Sequence, residues 1–231
     1  MNKYLRFGNY IRFIEKKLFG WQRIYSQCGE ELILNSLLNK PVGFYVDVGS
    51  NDPRHFNNTF YFYKLGWRGI NIEPNKRKLN QFRLLRPGDL NLNLGIAQKI
   101  GIANFYSFEE DTLSTFSKEV SEKYQNMGHT LKKVGQVELQ SLCSVFSNYL
   151  KPSQEIDFLT IDTEGYDLEV LKSNDWDKYR PHYIVVESLE YERENTGKKL
   201  NHIFNTYMND IGYEIVADTF INSIYKDKKL N

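Results

Sequence analysis

Apolar and polar residues follow two rhythms along this chain. Short runs rich in β-branched and aromatic residues, ended by Gly, Asn or an acid, read as buried strands of a parallel sheet. Phe44 to Val48 is such a run, interrupted by Asp47 and ended at Gly49. Gly69 to Glu73, Ile156 to Asp162 and Tyr183 to Glu187 repeat the pattern. Leu90 to Ala97 alternates with period two and predicts one continuous third strand. Helical spacing lies between these runs, over 26–38 (starting at Ser26 or Gly29), 57–65, 74–85, 141–149, the stretch after Thr163, and 202–209. In the 74–85 segment Leu79, Phe82 and Leu85 form the apolar side. Lys76, Arg77, Lys78, Arg83 and Arg86 are expected on its open face. Strands alternating with helices predict an α/β fold.

The remaining stretches complete the outline. Ala103 to Phe108 reads as a returning antiparallel strand. Residues 109–135 read as a short helix and a loop, mobile without substrate, of the kind that covers active sites. Residues 211–216 and 219–225 predict a terminal hairpin, followed by a polar tail. Residues 1–20 predict an amphipathic helix with Leu5, Ile11, Ile14 and Leu18 on one face and basic residues elsewhere. It is expected to pack on the domain or on a second copy of the chain, giving a homodimer. Contact with an anionic membrane surface is the alternative. The expected division is an appended segment, 1–25, and one domain, 26–231.

Composition narrows the function classes. A chain of 231 residues suits one domain with a single large core. A formal net charge of +1 provides no basic field for nucleic acid. Two cysteines, Cys28 and Cys143, make no C-x-x-C motif, so neither a zinc site nor a disulfide framework is expected. No apolar stretch approaches the ~20 residues of a transmembrane helix, and no signal peptide is evident. Plain thiols and no leader predict a cytoplasmic protein.

The chemistry concentrates where strands end. A strand, a glycine turn, a helix and a second strand ending on an acid make a nucleoside-binding unit, whose acid accepts hydrogen bonds from ribose hydroxyls. Asp47, Gly49 and Glu73 fill these places. After Gly49 come Ser50, Asn51, Asp52 and Pro53, so the G-x-G-x-x-G cradle for a pyrophosphate is missing. A cofactor with a ribose and a positive centre fits better, and S-adenosylmethionine has both. Asp47, Glu73, Asp162 and Glu187 all fall at carboxyl ends of predicted parallel strands, which marks one sheet edge as the active site. His55, in the polar loop before Asn57, is a candidate for acceptor binding or proton transfer. Two other readings stay open: an NAD-dependent sugar-nucleotide enzyme, and a non-catalytic assembly subunit.

Five blocks in order give a resemblance. Tyr25–Glu31, Asp47-Val-Gly-Ser-Asn51, Asn57-Asn-Thr59, Gly66–Pro74, and Asp162-Thr-Glu-Gly-Tyr-Asp167 with Glu169-Val-Leu171 resemble the FkbM family of S-adenosylmethionine-dependent methyltransferases. The resemblance covers roughly residues 24 to 190. It implies a Rossmann-like class I methyltransferase fold, with a mostly parallel seven-stranded sheet and a terminal antiparallel hairpin. It implies a cofactor site drawn from Gln27, Asp47, Gly49, Ser50, Asn51, Asn58, Thr59, Glu73, Pro74, Asn93, Gly95, Ile96 and Asp162. Gln27 would face the cofactor, while Asn93, Gly95 and Ile96 would border its adenine. It further implies O-methylation of a sugar or another small metabolite, often in a surface-glycan or natural-product pathway, with a saccharide or nucleotide-linked sugar as the expected acceptor. Asp162, Glu164 and His55 are the expected catalytic residues. Mg²⁺ or Mn²⁺ held by Asp162 and Glu187 is the alternative means of activating the acceptor.

Overall fold

The computed structural model describes residues 24–190, 198–199 and 201–230. The predicted helix over 1–20, with its dimer and membrane roles, and the polar loop 191–197 lie outside the described residues. The elements in order are α1 (Glu30–Leu38), β1 (Phe44–Val48), α2 (Phe60–Lys64), β2 (Arg68–Ile72), α3 (Lys76–Leu85), β3 (Leu90–Leu92), β4 (Gly95–Ile96) and β5 (Gly101–Phe108). Then come α4 (Lys118–Asn126), β6 (Leu131–Gln140), α5 (Leu142–Tyr149), β7 (Phe158–Ile161), α6 (Asp167–Lys172) and β8 (Tyr183–Glu187). The chain closes with β9 (Leu189–Glu190), β10 (Lys198–Lys199), α7 (Asn201–Asp210), β11 (Tyr213–Asp218) and β12 (Asn222–Asp227).

Seven strands form the main sheet among the described residues, in the order β11-β12-β8-β7-β1-β2-β3. The pairs β8–β7, β7–β1, β1–β2 and β2–β3 are parallel, and β12 runs antiparallel to both β8 and β11. The expected sheet and terminal hairpin are both present. Alternate residues of the central strands feed opposite layers, as the pleat requires. Val46, Ile70, Leu159 and Ile184 pack with Val145 and Phe146 of α5, Leu171 of α6 and Met208 of α7. Tyr45, Phe158 and Val185 pack on the other face with Leu34 of α1, Phe62 of α2 and Trp67. Helices on both faces explain why these strands read as mostly apolar runs rather than alternating ones.

Three expectations are corrected. The run 90–97 is not one strand: β3 stays in the main sheet, whereas β4 pairs with β6 in a separate sheet ordered β4-β6-β5. The break is at Asn93, whose side-chain amide donates to the carbonyls of Glu73 (2.9 Å) and Pro74 (2.8 Å). Residues 131–135 are not loop: they open β6, which pairs with β5 from Leu131–Phe108 to Leu139–Gly101. Most β6 side chains are exposed or half-buried, so backbone pairing rather than an apolar face defines the strand. Arg86 is not on an open face. It is fully buried, because Tyr45, Phe60, Tyr63 and Phe82 surround its guanidinium. No helix among the described residues is long and apolar enough to cross a membrane.

Candidate functional site

The carboxyl ends of β1, β2 and β7 open onto one cleft. Gly49 sets its floor. It sits at φ 79°, and a Cβ there would lie 1.8 Å from the carbonyl oxygen of Asp162. The glycine thus lets the β1 turn pass against the end of β7. Asn51 follows at φ 51°, a left-handed conformation that asparagine tolerates. Its amide donates to Glu73 Oε2 at 2.8 Å, and the Asn75 amide donates to Oε1 at 2.6 Å. Two loops therefore hold the Glu73 carboxylate by one oxygen each, and each oxygen can accept one further hydrogen bond. Burial pushes this carboxyl up to about 7, against those two amides and the nearby Lys78.

The cleft brings together many of the predicted residues. Gln27, Gly49, Asn51, Glu73, Pro74, Gly95, Ile96, Asp162 and Glu164 all line it. Gly95 is needed because a Cβ there would come within 2.4 Å of the Phe116 ring. The segment after β4 supplies the opposite wall through Phe105, Asp111, Thr112, Ser114 and Phe116. A covering segment was legible there, but its individual residues carried no motif. Lys78 and Phe56 also line the cleft and were not singled out. Asp111 is ion-paired with Arg77 (2.5 Å) and Lys78 (3.2 Å), tying α3 to that wall.

Other predicted residues stand behind the cleft rather than in it. Asp47 Oδ2 accepts from Thr59 Oγ1 (2.7 Å) and Asn57 Nδ2 (3.1 Å). Arg86 completes this bracket, donating to Thr59 Oγ1 at 2.9 Å and Asn57 Oδ1 at 3.4 Å. The bracket fixes both ends of the 49–59 loop. Ser50 is buried, with its hydroxyl 3.4 Å from the Ile72 carbonyl. Asn58 donates to Thr160 Oγ1 at 2.9 Å, and Asn93 holds the loop after β2 as described above. His55 is exposed and does not line the cleft; its backbone N–H donates to Asp52 Oδ1 at 2.9 Å.

A carboxylate cluster occupies the β7–β8 side. Asp162, Glu164 and Glu187 each offer an oxygen within 4.8 Å of the others. Asp167, at the start of α6, shapes the turn by accepting from the amides of Thr163 (2.9 Å) and Gly165 (3.2 Å). Glu164 lies at φ 53°, unusual for a residue other than glycine. Burial and the charge of Asp167 push Asp162 up to about 7. Burial and the charge of Asp162 push Glu164 and Glu187 well above the usual carboxylate range. Crowded acids do not all ionise at neutral pH; they share protons or attract a cation. The three oxygens are hard ligands of the kind that suit Mg²⁺ or Mn²⁺.

The family described as "Methyltransferase FkbM domain" matches residues 47–215, more than half of the chain. The chain belongs to the FkbM methyltransferase family. Among solved structures, a TehB-like SAM-dependent methyltransferase from Corynebacterium glutamicum is 9% identical with a TM-score of 0.42, covering 96% of this chain and 97% of its own. MNMC2 from Aquifex aeolicus is 11% identical with a TM-score of 0.38, covering 89% of this chain and 60% of its own. No curated protein matches significantly. Membership in the FkbM family makes this chain an S-adenosylmethionine-dependent methyltransferase with a Rossmann-like sheet.

Proposed function

We propose that this cleft holds S-adenosylmethionine and directs its methyl group to a hydroxyl of a sugar, either a saccharide or a nucleotide-linked sugar of a surface-glycan pathway. The observation that carries the reading is the placement of Glu73 and the Asp162–Glu164 pair in one cleft. Glu73 keeps one acceptor site on each oxygen for the ribose hydroxyls. Gly49 and Gly95 leave the backbone close to the ligand. Gln27, Asn51, Pro74 and Ile96 complete the contacts. Asp47, Ser50, Asn58, Thr59 and Asn93 support these groups from behind.

When bound, the cofactor supplies a methyl group activated on a positive sulfonium. The protein's own part is alignment, which lowers the barrier by several kcal/mol, and removal of the hydroxyl proton. Asp162 is the first candidate for that base, since a carboxyl pushed up to about 7 suits proton transfer near neutral pH. Glu164 is the second. His55 enters as base only if its loop turns toward the cleft. In a second version, supported by the 4.8 Å cluster, Asp162, Glu164 and Glu187 would hold Mg²⁺ or Mn²⁺, and a bound ion would supply Lewis acidity to lower the pKa of the hydroxyl. Among the described residues, the cleft's basic side chain is Lys78, already paired with Asp111. That charge balance disfavours the pyrophosphate of NAD. Free Cys28 and Cys143 support placement in the cytoplasm.

The test is a panel of monosaccharides, oligosaccharides and nucleotide-linked sugars incubated with the protein and S-adenosylmethionine, following S-adenosylhomocysteine release. Turnover with a sugar hydroxyl supports the reading. Turnover only with amine or thiol acceptors overturns it.

A further inference from the structure

Phe56 breaks two rules at once. It stands at φ 49°, in the left-handed region where a bulky side chain is an outlier, and it is 64% exposed. A disfavoured backbone persists only where its surroundings over-determine it. They do so here. Before Phe56, the amides of Arg54 and His55 donate to Asp52 Oδ1 at 2.8 and 2.9 Å. After it, the Asn57 amide donates to the Tyr25 carbonyl at 3.0 Å. The Asn57 side chain also donates to Asp47 Oδ2 and to the Ser50 carbonyl, each at 3.1 Å. The loop is held so that an aromatic residue lines the cleft while staying largely in water. Packing within the fold does not explain that arrangement.

The path of the loop shows which end of the cleft Phe56 serves. Asn51, at its start, donates to Glu73 beyond the end of β2. Asn58, at its close, donates to Thr160 of β7, two residues before Asp162. The close is also tied to Tyr25 of the segment whose Gln27 lines the cleft. Phe56 therefore belongs to the β7 end, away from the carboxylate assigned to the ribose and toward the one assigned to the hydroxyl proton.

We propose that Phe56 is an acceptor-binding residue whose ring is the platform on which the C–H face of a pyranose stacks. The inference deepens the proposed function and rests on it. The face of an aromatic ring is negative and the C–H groups of a sugar are slightly positive, so the two attract. Stacking also removes the exposed ring from water. Glycine is the informative substitution, because it removes the ring and relieves the backbone at positive φ.

The experiment compares wild type, Phe56→Gly and Phe56→Trp in the full chain. It uses the sugar that wild type turns over fastest in the panel of monosaccharides, oligosaccharides and nucleotide-linked sugars. Loss of the stacked ring should raise KM for that sugar about five- to twentyfold in Phe56→Gly, with kcat at saturating sugar and S-adenosylhomocysteine affinity each within about twofold of wild type. Phe56→Gly should melt no lower than wild type. Phe56→Trp keeps an aromatic face, so its KM should stay within about threefold of wild type. An unchanged KM in Phe56→Gly, a loss of S-adenosylhomocysteine affinity as large as the rise in KM, or a Phe56→Trp enzyme as impaired as Phe56→Gly overturns the inference. So does a lower melting temperature in Phe56→Gly, which would assign the ring to packing. If wild type turns over no sugar of the panel, the proposed function fails instead, and the inference falls with it.

Discussion

The carbonyl oxygen of Asp162 lies 1.8 Å from where a Cβ on Gly49 would stand. The glycine is therefore required by the meeting of β1 and β7 before any ligand enters. Gly49→Ala should destabilise the fold. A left-handed residue other than glycine costs roughly 1–2 kcal/mol, and overlap with a backbone oxygen adds to it. At about 2–4 °C per kcal/mol for a domain of this size, the melting temperature should fall by at least about 2 °C. A variant that melts like wild type but no longer binds S-adenosylhomocysteine would assign the glycine to the ligand alone.

Glu73 links binding to pH. Its carboxyl is pushed from 4.5 to about 7 in the folded chain. Ribose hydroxyls donate to the ionised form, so affinity should rise with pH and level off above 7. S-adenosylhomocysteine should bind about tenfold more weakly at pH 6 than at pH 8, and Glu73→Gln should flatten that dependence. For folding the sign is opposite: the folded form holds the proton more tightly, so Glu73's contribution to stability declines as pH rises from 4.5 to about 7. A pH-independent affinity in wild type would remove Glu73 from the ribose.

Arg86 should matter for stability rather than for charge at the surface. It bridges Thr59, Asn57 and Asn71, and its Nε lies 3.6 Å from the buried carboxylate of Asp89. Arg86→Met leaves the buried carboxylates of Asp89 and Asp47 without the cation that faces them, although Asp89 keeps hydrogen bonds from Tyr45, Gly69 and Asn71, and should cost about 3–5 kcal/mol in urea unfolding. Arg86→Lys should recover only part of it, since a point charge cannot reproduce the planar fork. Wild-type stability in both variants would show the bracket to be dispensable.

The parts of the fold that were legible in the sequence were those whose side chains report burial. Phe44–Val48 and Tyr183–Glu187 are buried along nearly their whole length, so they read as apolar runs broken only by the acids Asp47 and Glu187. β6 was invisible because it is held by pairing with β5 while its side chains stay largely in solvent. Arg86 was misplaced because its burial depends on Asp89 and on the distant Thr59 and Asn71. The strand-end acids Glu73, Asp162 and Glu187 could be found by topology. That Asp47 turns away from the cleft could not, since its partners Asn57 and Thr59 are set by the loop's path. Tyr124 reaches Glu164 across forty residues of sequence, a contact no local pattern encodes.

Catalysis should depend on the carboxylate cluster. Asp162→Asn should lower turnover by ~10²–10⁴-fold while S-adenosylhomocysteine affinity stays near wild type, as expected for loss of a base. If a metal does the work, EDTA should abolish activity and Mg²⁺ or Mn²⁺ should restore it. Full activity in chelator leaves the proton-transfer version. Unimpaired turnover by Asp162→Asn and Glu164→Gln, tested singly, would leave alignment as the whole mechanism.

The most direct test of the cleft is calorimetric titration of the wild-type chain with S-adenosylhomocysteine and with NAD. The account predicts one S-adenosylhomocysteine per chain, a binding heat lost or much reduced in Glu73→Ala, and no binding of NAD. Saturable NAD binding, or no binding of S-adenosylhomocysteine by folded protein, would contradict it.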